Sequence, residues 1–421
     1  MILRYVGSDL FLRSTYSYLC IIISARMKKT HLLIALAPLM GACAVNTGQV
    51  EVTVENPATA SPETAIVELP ASDILGRLGS DCFVVTDSEG RELCSQLTHD
   101  SLIIFEAAVA PGAKATYYVA ASDTMPTYAP VAVGRLYPER ADDLAWENDL
   151  VGFRAYGPAT QAKGERAFGY DIFMKHYSAE PVLERLYEPE TSPAVWAKVD
   201  SLRAIDPVLA EDFIKTFSYH IDHGLGMDCY AVGPTLGAGV AVPLLEGDSL
   251  SYSWCYDKAE VLDNGPLRYT VQLDFAPRAV EGDSAVVEHR RISLDKGAQL
   301  NRTLVWYDGL GSDIDVVAGF PLRDNPAFVQ GDNILAVADP TQGDDNGKAL
   351  LGIVFPAEAE MAPVIDNHRL VKTSISPDGA LAYEWGFAWD REGKYPDIQA
   401  WAAYLRSVDN ARKNPLKISY K

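Results

Sequence analysis

Between Ser218 and Tyr230 the chain reads SYHIDHGLGMDCY, the densest collection of proton-transfer groups in the sequence. His220, Asp222 and His223 fall within four residues. An imidazole near its ordinary pKa accepts a proton at neutral pH, and a carboxylate such as Asp222 or Asp228 can orient it. Gly224 and Gly226 predict that the chain turns tightly here instead of running on as a flat strand. Beyond the turn, alternation puts Asp228 and Tyr230 on one face and Met227 and Cys229 on the other. An imidazole, a carboxylate and a phenol would then converge. Two other readings stay open. The segment could be a polar loop capping a strand end, or His220, Asp222 and His223 could ligate a metal, although their spacing matches no zinc signature.

A second cluster runs from Gly134 to Pro158. Read as one strand from Trp146 to Tyr156, it puts Trp146, Asn148, Arg154 and Tyr156 on one face. An aromatic, an amide, a guanidinium and a phenol make a sugar-binding surface, and Arg154 could hold a carboxylate or sulfate bidentately. Arg135 and Arg140 read instead as partners for the many local acids. Tyr170 is a further proton-transfer candidate, with Lys175 as a cation beside it. Asp295 to Gly297 reads as a turn, after which Gln299 and Asn301 share a strand face.

These side chains need a scaffold, and the composition says which kind. The chain has 421 residues, 48% hydrophobic, with 31 Gly, 25 Pro and 21 Tyr. That mixture suits twisted strands and many turns. Short β-rich runs recur from Val67 to Val119. Longer ones follow at Trp146–Tyr156, Tyr252–Tyr256, Arg268–Phe275, Ala285–Leu294, Leu300–Tyr307 and Ala382–Trp389. Helix is expected to be sparse, with Pro193–Phe217, broken at Pro207, the best candidate and Tyr395–Leu405 a second. Many strands with few helices predict a mainly β fold, a large antiparallel sandwich. The net charge of −21 and the lack of a basic stripe argue against nucleic acid as a partner. No phosphate-binding GK[ST] loop, dinucleotide GxGxxG or GxSxG elbow is present, and no cofactor is expected.

Met27-Lys28-Lys29, the apolar run Leu32–Met40 and Gly41-Ala42-Cys43 have the shape of an export signal. The expected organisation is a lipoprotein-like signal over 27–43, with 1–26 upstream of the true start and Cys43 as the lipidated residue. A polar tether over 44–65, a small β unit over 66–125 and a catalytic sandwich over 126–421 follow. Cys82 and Cys94 flank the turn Asp87-Ser88-Glu89-Gly90 and are expected to crosslink in an oxidising compartment.

Five segments carry a family resemblance: GRLYPERADDLAWENDLVGFRAYGP, GYDIFMK, YHIDHGLGMDCYAVGPTLGAG, EVLDNGPLR and RISLDKGAQLNR. Together they resemble an exported bacterial family found in polysaccharide-utilisation loci that includes oligosaccharide dehydratases of ulvan degradation. The resemblance implies a galactose-mutarotase-like β-supersandwich. It also implies removal of water from a non-reducing-end glucuronic or iduronic acid, giving a 4,5-unsaturated uronosyl end. For that chemistry Arg154 and Lys175 are the candidates to hold the sugar carboxylate. His220 leads as the base for the C5 proton, with Tyr230 or Tyr170 behind it. His223 or a tyrosine would be the acid, and Asp222 or Asp228 would orient an imidazole. A mutarotase or C5-epimerase would need the same parts, and a non-catalytic glycan-binding lipoprotein would need only the aromatics and Arg154.

Overall fold

The computed structural model describes residues 48–62, 64–343, 345–356 and 358–421. The expected signal and Cys43 lie outside the described residues. Val50, Val52 and Val54 alternate with polar residues, and this period of two makes Gln49–Glu55 a strand with all three valines buried. That corrects the expected tether. The strand pairs with Lys114–Ala121 on one side and with the C-terminal Lys417–Tyr420 on the other, so the small β unit draws on both ends of the chain. Its five-stranded sheet and a three-stranded sheet (Ala65–Pro70, Leu102–Ala107, Ser95–Leu97) share a core with the helix Ala71–Leu78.

The rest is the expected mainly β architecture of antiparallel layers. A nine-stranded sheet runs from Lys258–Asn264 at one edge to Phe328–Gly331 at the other. One face packs against two five-stranded sheets through a single core containing Trp146, Phe153, Tyr170, Tyr269 and Trp385. The helix Ile398–Lys413 covers the other face through Trp401, Ala402 and Leu405. Pro207 divides the helical stretch as expected, into Pro193–Ile205 and Pro207–Ile214, with Asp206 ending one helix and capping the next through a bond from Val208 N at 2.9 Å.

Two expectations fail locally. Tyr252–Tyr256 forms no strand; it is a loop pinned by side-chain bonds. Cys82 and Cys94 carry free thiols, as do Cys229 and Cys255. The register Val85↔Leu93 sets Val84, not Cys82, opposite Cys94. The chain also leaves that sheet at Cys94 to begin the Ser95–Leu97 strand of another.

Candidate functional site

The site sheet has the order Gly226–Met227, Asp171–Lys175, Gly152–Ala155, Asp143–Glu147, Val133–Tyr137. Its second and third strands in chain order form a hairpin, because the Asn148 side-chain oxygen accepts from Leu150 N and Val151 N at 2.9 and 3.0 Å and closes a turn. The hairpin register pairs Trp146 with Phe153 and Ala145 with Arg154. Paired residues share a face. Trp146 therefore points into the sandwich core, and Arg154 points to the outer face with Asp171, its partner on the next strand. The expected single sugar-binding face of Trp146, Asn148, Arg154 and Tyr156 does not exist.

On the outer face Arg154 lies 3% exposed beneath Tyr187 of the helix Leu183–Thr191, with its guanidinium over the rings of Tyr156 and Phe173 at 4.8 and 5.2 Å. Its Nε donates to Asp171 Oδ2 at 2.9 Å and its Nη2 to Asp228 Oδ2 at 2.8 Å, with a further Nη2 contact to Asp171. Asp143 stands 3.8 Å from Nη1. Tyr156 donates to Asp171 at 2.6 Å and accepts from Arg154 at 3.1 Å. Arg154 is thus a buried countercharge for internal carboxylates, which corrects its expected role as a clamp for a ligand's carboxylate. Three acids around one guanidinium cannot all ionise easily. Burial pushes Asp143 and Asp228 each up to about 6, with Arg154 only partly offsetting it.

His220 sits directly above this network on the loop that the glycines shape. Gly224 and Gly226 have φ of 91° and 107°, and a Cβ on Gly226 would meet Met174 O at 2.0 Å. Asp228 N donates to Tyr219 O at 2.8 Å, closing the loop. His220 Nδ1 lies 2.9 Å from Asp228 O. A carbonyl only accepts, so Nδ1 carries the proton and the lone pair of the neutral ring is on Nε2. The side chain is 56% exposed, and the Asp228 carboxylate lies 3.9 Å beneath Nδ1. This is the geometry of a proton acceptor backed by an acid that offsets the imidazolium charge.

The remaining candidates scatter. Asp222 turns away from His220: its Oδ1 accepts from Gly224 N and Gly226 N, and its Oδ2 pairs with His176 Nε2 at 2.9 Å. His223 is exposed. The strand at Gly226–Met227 is only two residues long, so the predicted alternation stops there. Tyr230 passes into the core under Arg323, whose Nη1 holds Asp339 at 2.6 Å. Tyr170 stacks on Trp385 at 4.1 Å and accepts from Arg290 at 3.3 Å. Neither tyrosine reaches His220. Lys175 is 1% exposed and donates to Glu147 at 2.7 Å and to Asn148 O at 2.6 Å. Glu147 in turn accepts from Val182 N and Leu183 N at the start of the covering helix, so Lys175 is structural rather than substrate-binding. Trp146 donates to Asn301 at 2.8 Å inside the core, and Gln299 donates to Tyr177 at 3.1 Å, so these too hold the scaffold together. His220, Asp222 and His223 do not converge. Among the described residues no group of three His, Cys, Asp or Glu side chains is arranged to hold a metal.

Two residues were missed. Arg135 does pair with Glu184 and Glu139 as expected, but Arg140 makes no ion pair within 4 Å among the described residues, and Asp143 is the carboxylate whose charge it feels. Its Nε and Nη2 donate to Tyr219 Oη at 3.1 and 2.7 Å, and the Tyr219 ring lies 4.6 Å from that of His220. A guanidinium, a phenol and an imidazole therefore stand in series. The second is His176, held between Asp222 and Glu392 at 2.9 and 2.5 Å. Burial lowers its pKa, but the hydrogen bonds that the ring donates to the two carboxylates outweigh this, and the net shift is upward from 6.5. Its contribution to stability is complete below the unfolded value and is lost as pH rises through the raised folded value. His176→Gln is expected to narrow the gap to wild type in melting temperature as the pH goes from 6 to 9. A gap independent of pH would remove the charged bridge.

Comparison with known proteins places the chain. "Uncharacterized protein P7" of Formosa agariphila is 26% identical over 293 residues, covering 68% of this chain and 69% of that one. Two solved structures from Enterococcus faecalis align over 89% of this chain: an alpha-mannosidase, at 9% identity and a TM-score of 0.43, and a protein in glycosyl hydrolase family 38, at 8% and 0.43. This chain spans less than half the length of either, 46% and 48%. The family described as "Domain of unknown function (DUF4861)" matches residues 54–418, nearly the whole described chain, and the protein belongs to that family.

Proposed function

We propose that the protein is a dehydratase acting on the non-reducing-end uronic acid of an oligosaccharide of the ulvan type. The observation that carries this reading is His220: its Nδ1 donates to Asp228 O at 2.9 Å, which puts the lone pair of the neutral ring on Nε2, and the ring is exposed. In the reaction Nε2 takes the C5 proton, the C5–H electrons form the C4=C5 bond, and the C4 hydroxyl leaves with a proton as water. The C5 proton is α to a carboxylate and weakly acidic, so the developing negative charge needs a cation. Arg154 is committed to Asp171 and Asp228. Arg140 takes over that role, since its hydrogen bonds among the described residues go only to Tyr219. Tyr219 accepts both of those bonds and keeps its own proton to give, which suits it to protonate the leaving hydroxyl.

The test is incubation with defined oligosaccharides ending in glucuronic or iduronic acid. The expected result is new ultraviolet absorbance together with a mass loss of one water. An unaltered oligosaccharide from every such substrate would end this reading. The same proposal places the protein outside the cytoplasm on a lipid anchor at Cys43. Labelling with a radioactive fatty acid is expected to put label in the membrane fraction, and an unlabelled protein starting elsewhere would refute the anchor.

A further inference from the structure

The loop that carries His220 is open to solvent except at one side chain. From His220 to Gly224 every residue is exposed but Asp222, which is half-buried. Asp222 Oδ1 accepts from Gly224 N at 2.8 Å and from Gly226 N at 3.1 Å, so it shapes the turn from within. Its Oδ2 reaches out of the loop to His176 Nε2 at 2.9 Å. His176 follows directly on the strand Asp171–Lys175, and its Nδ1 lies 2.5 Å from Glu392 Oε1. Glu392 belongs to the short helical turn Asp390–Glu392, which follows the strand Ala380–Trp389. One imidazole therefore ties the His220 loop to a distant part of the chain.

A carboxylate only accepts, so both ring nitrogens of His176 must donate, and the bridge is complete only with an imidazolium. The charged groups on the ring are Asp222 from the loop and Glu392 from the helical turn. From the neighbouring strand the Trp389 ring stands 5.3 Å away, with Arg391 over that same indole at 5.7 Å. Lys175, next to His176 in the chain, is committed to Glu147. When the imidazolium loses a proton, one nitrogen turns a lone pair toward a carboxylate, and an attraction becomes a repulsion. Asp222 is the partner that can move, because its other bonds lie inside its own loop. Glu392 is held in place, since its Oε2 accepts from Tyr177 N at 3.2 Å.

We infer that His176 is a positioning residue, a latch that fixes the His220 loop while its ring carries both protons and frees the loop when one is lost. Its effect on turnover rests on the reading of His220 as the base. His220 then sets the acid limb of the pH profile and His176 an alkaline limb. The experiment is hydrogen exchange over Tyr219–Met227, read by mass spectrometry as protection relative to an unstructured peptide, near pH 6 and near pH 9. Wild type is expected to lose about tenfold in protection between the two, the scale of one charge-assisted hydrogen bond. His176→Gln should show the loosened value at both. Asp222→Asn discriminates: its amide keeps the bonds from Gly224 N and Gly226 N and offers an N–H to a neutral ring, so it should be tighter near pH 9 than near pH 6, the reverse of wild type. In turnover, His176→Gln is expected to lower kcat about tenfold with KM nearly unchanged, and to lack the alkaline limb. Wild-type protection independent of pH, or Asp222→Asn loosening with pH as wild type does, would overturn the latch. A loosened His176→Gln with wild-type kcat would overturn the positioning role. A wild-type protein that alters no oligosaccharide ends the elimination reading, and the exchange comparison still decides the latch.

Discussion

His220→Ala is expected to fold as wild type, to bind oligosaccharide, and to lose turnover by about 10²–10⁴-fold, the usual contribution of a general base. The ring is exposed and makes one hydrogen bond, to Asp228 O, so its loss costs about one hydrogen bond, about 0.5–1.5 kcal/mol. The melting temperature is therefore expected to move little while kcat falls. His220→Gln separates geometry from chemistry, because an amide can keep a bond to the carbonyl but cannot take the C5 proton, and it should be as inactive as the alanine variant. His223→Ala is expected to leave turnover near wild type. Near-native turnover in folded His220→Ala would remove the imidazole from the reaction and move the base elsewhere.

Arg154→Met is expected to cost about 3–5 kcal/mol of stability at neutral pH, because removing one member of a buried ion cluster strands the others. Asp171 and Asp228 would be left buried without their countercharge, and Asp228, at about 6 even in the wild type, would rise further. The sign with pH follows. A carboxyl whose folded pKa lies above its unfolded value favours the folded state at low pH and loses that contribution as pH rises through the folded pKa. The deficit of Arg154→Met should therefore be largest near pH 8 and shrink toward pH 5, read by urea denaturation at both. Arg154→Lys keeps the charge but not the planar fork that reaches Asp171 and Asp228 together, and it should fall between the two. A variant as stable as wild type at pH 8 would mean that Arg154 is not the countercharge described.

How much of this was legible in the sequence depended on whether a signal was local. The break at Pro207 and the glycine-shaped loop were, because proline and glycine act through their own backbone. The long strands were also legible through composition and alternation. The face of Arg154 was not, since it turned on one side chain. Asn148 closes a hairpin that inverts the parity between residues 146 and 154, and a hydrophobic pattern read as one strand cannot register that. The first strand was hidden by its polar setting although Val50, Val52 and Val54 carry the period of two. His176 and Arg140 gave no signal because their partners, Glu392 and Tyr219, are distant in sequence. Within SYHIDHGLGMDCY either Asp222 or Asp228 was expected to orient an imidazole; Asp228 lies beneath His220, bonding it through its backbone carbonyl, while Asp222 turns to His176. The convergence of Asp222, His223 and Tyr230 was not met, because the strand they needed ends after Met227.

The central claim is elimination at a uronic acid, and the measurement that tests it most directly is mass spectrometry of a uronate-terminated oligosaccharide after incubation in deuterated water and return to ordinary water. A dehydratase gives a product lighter by one water, carrying the 4,5-unsaturated chromophore and no carbon-bound deuterium. A mass raised by one deuterium at C5, with no water lost, would contradict the account and identify an epimerase using the same imidazole.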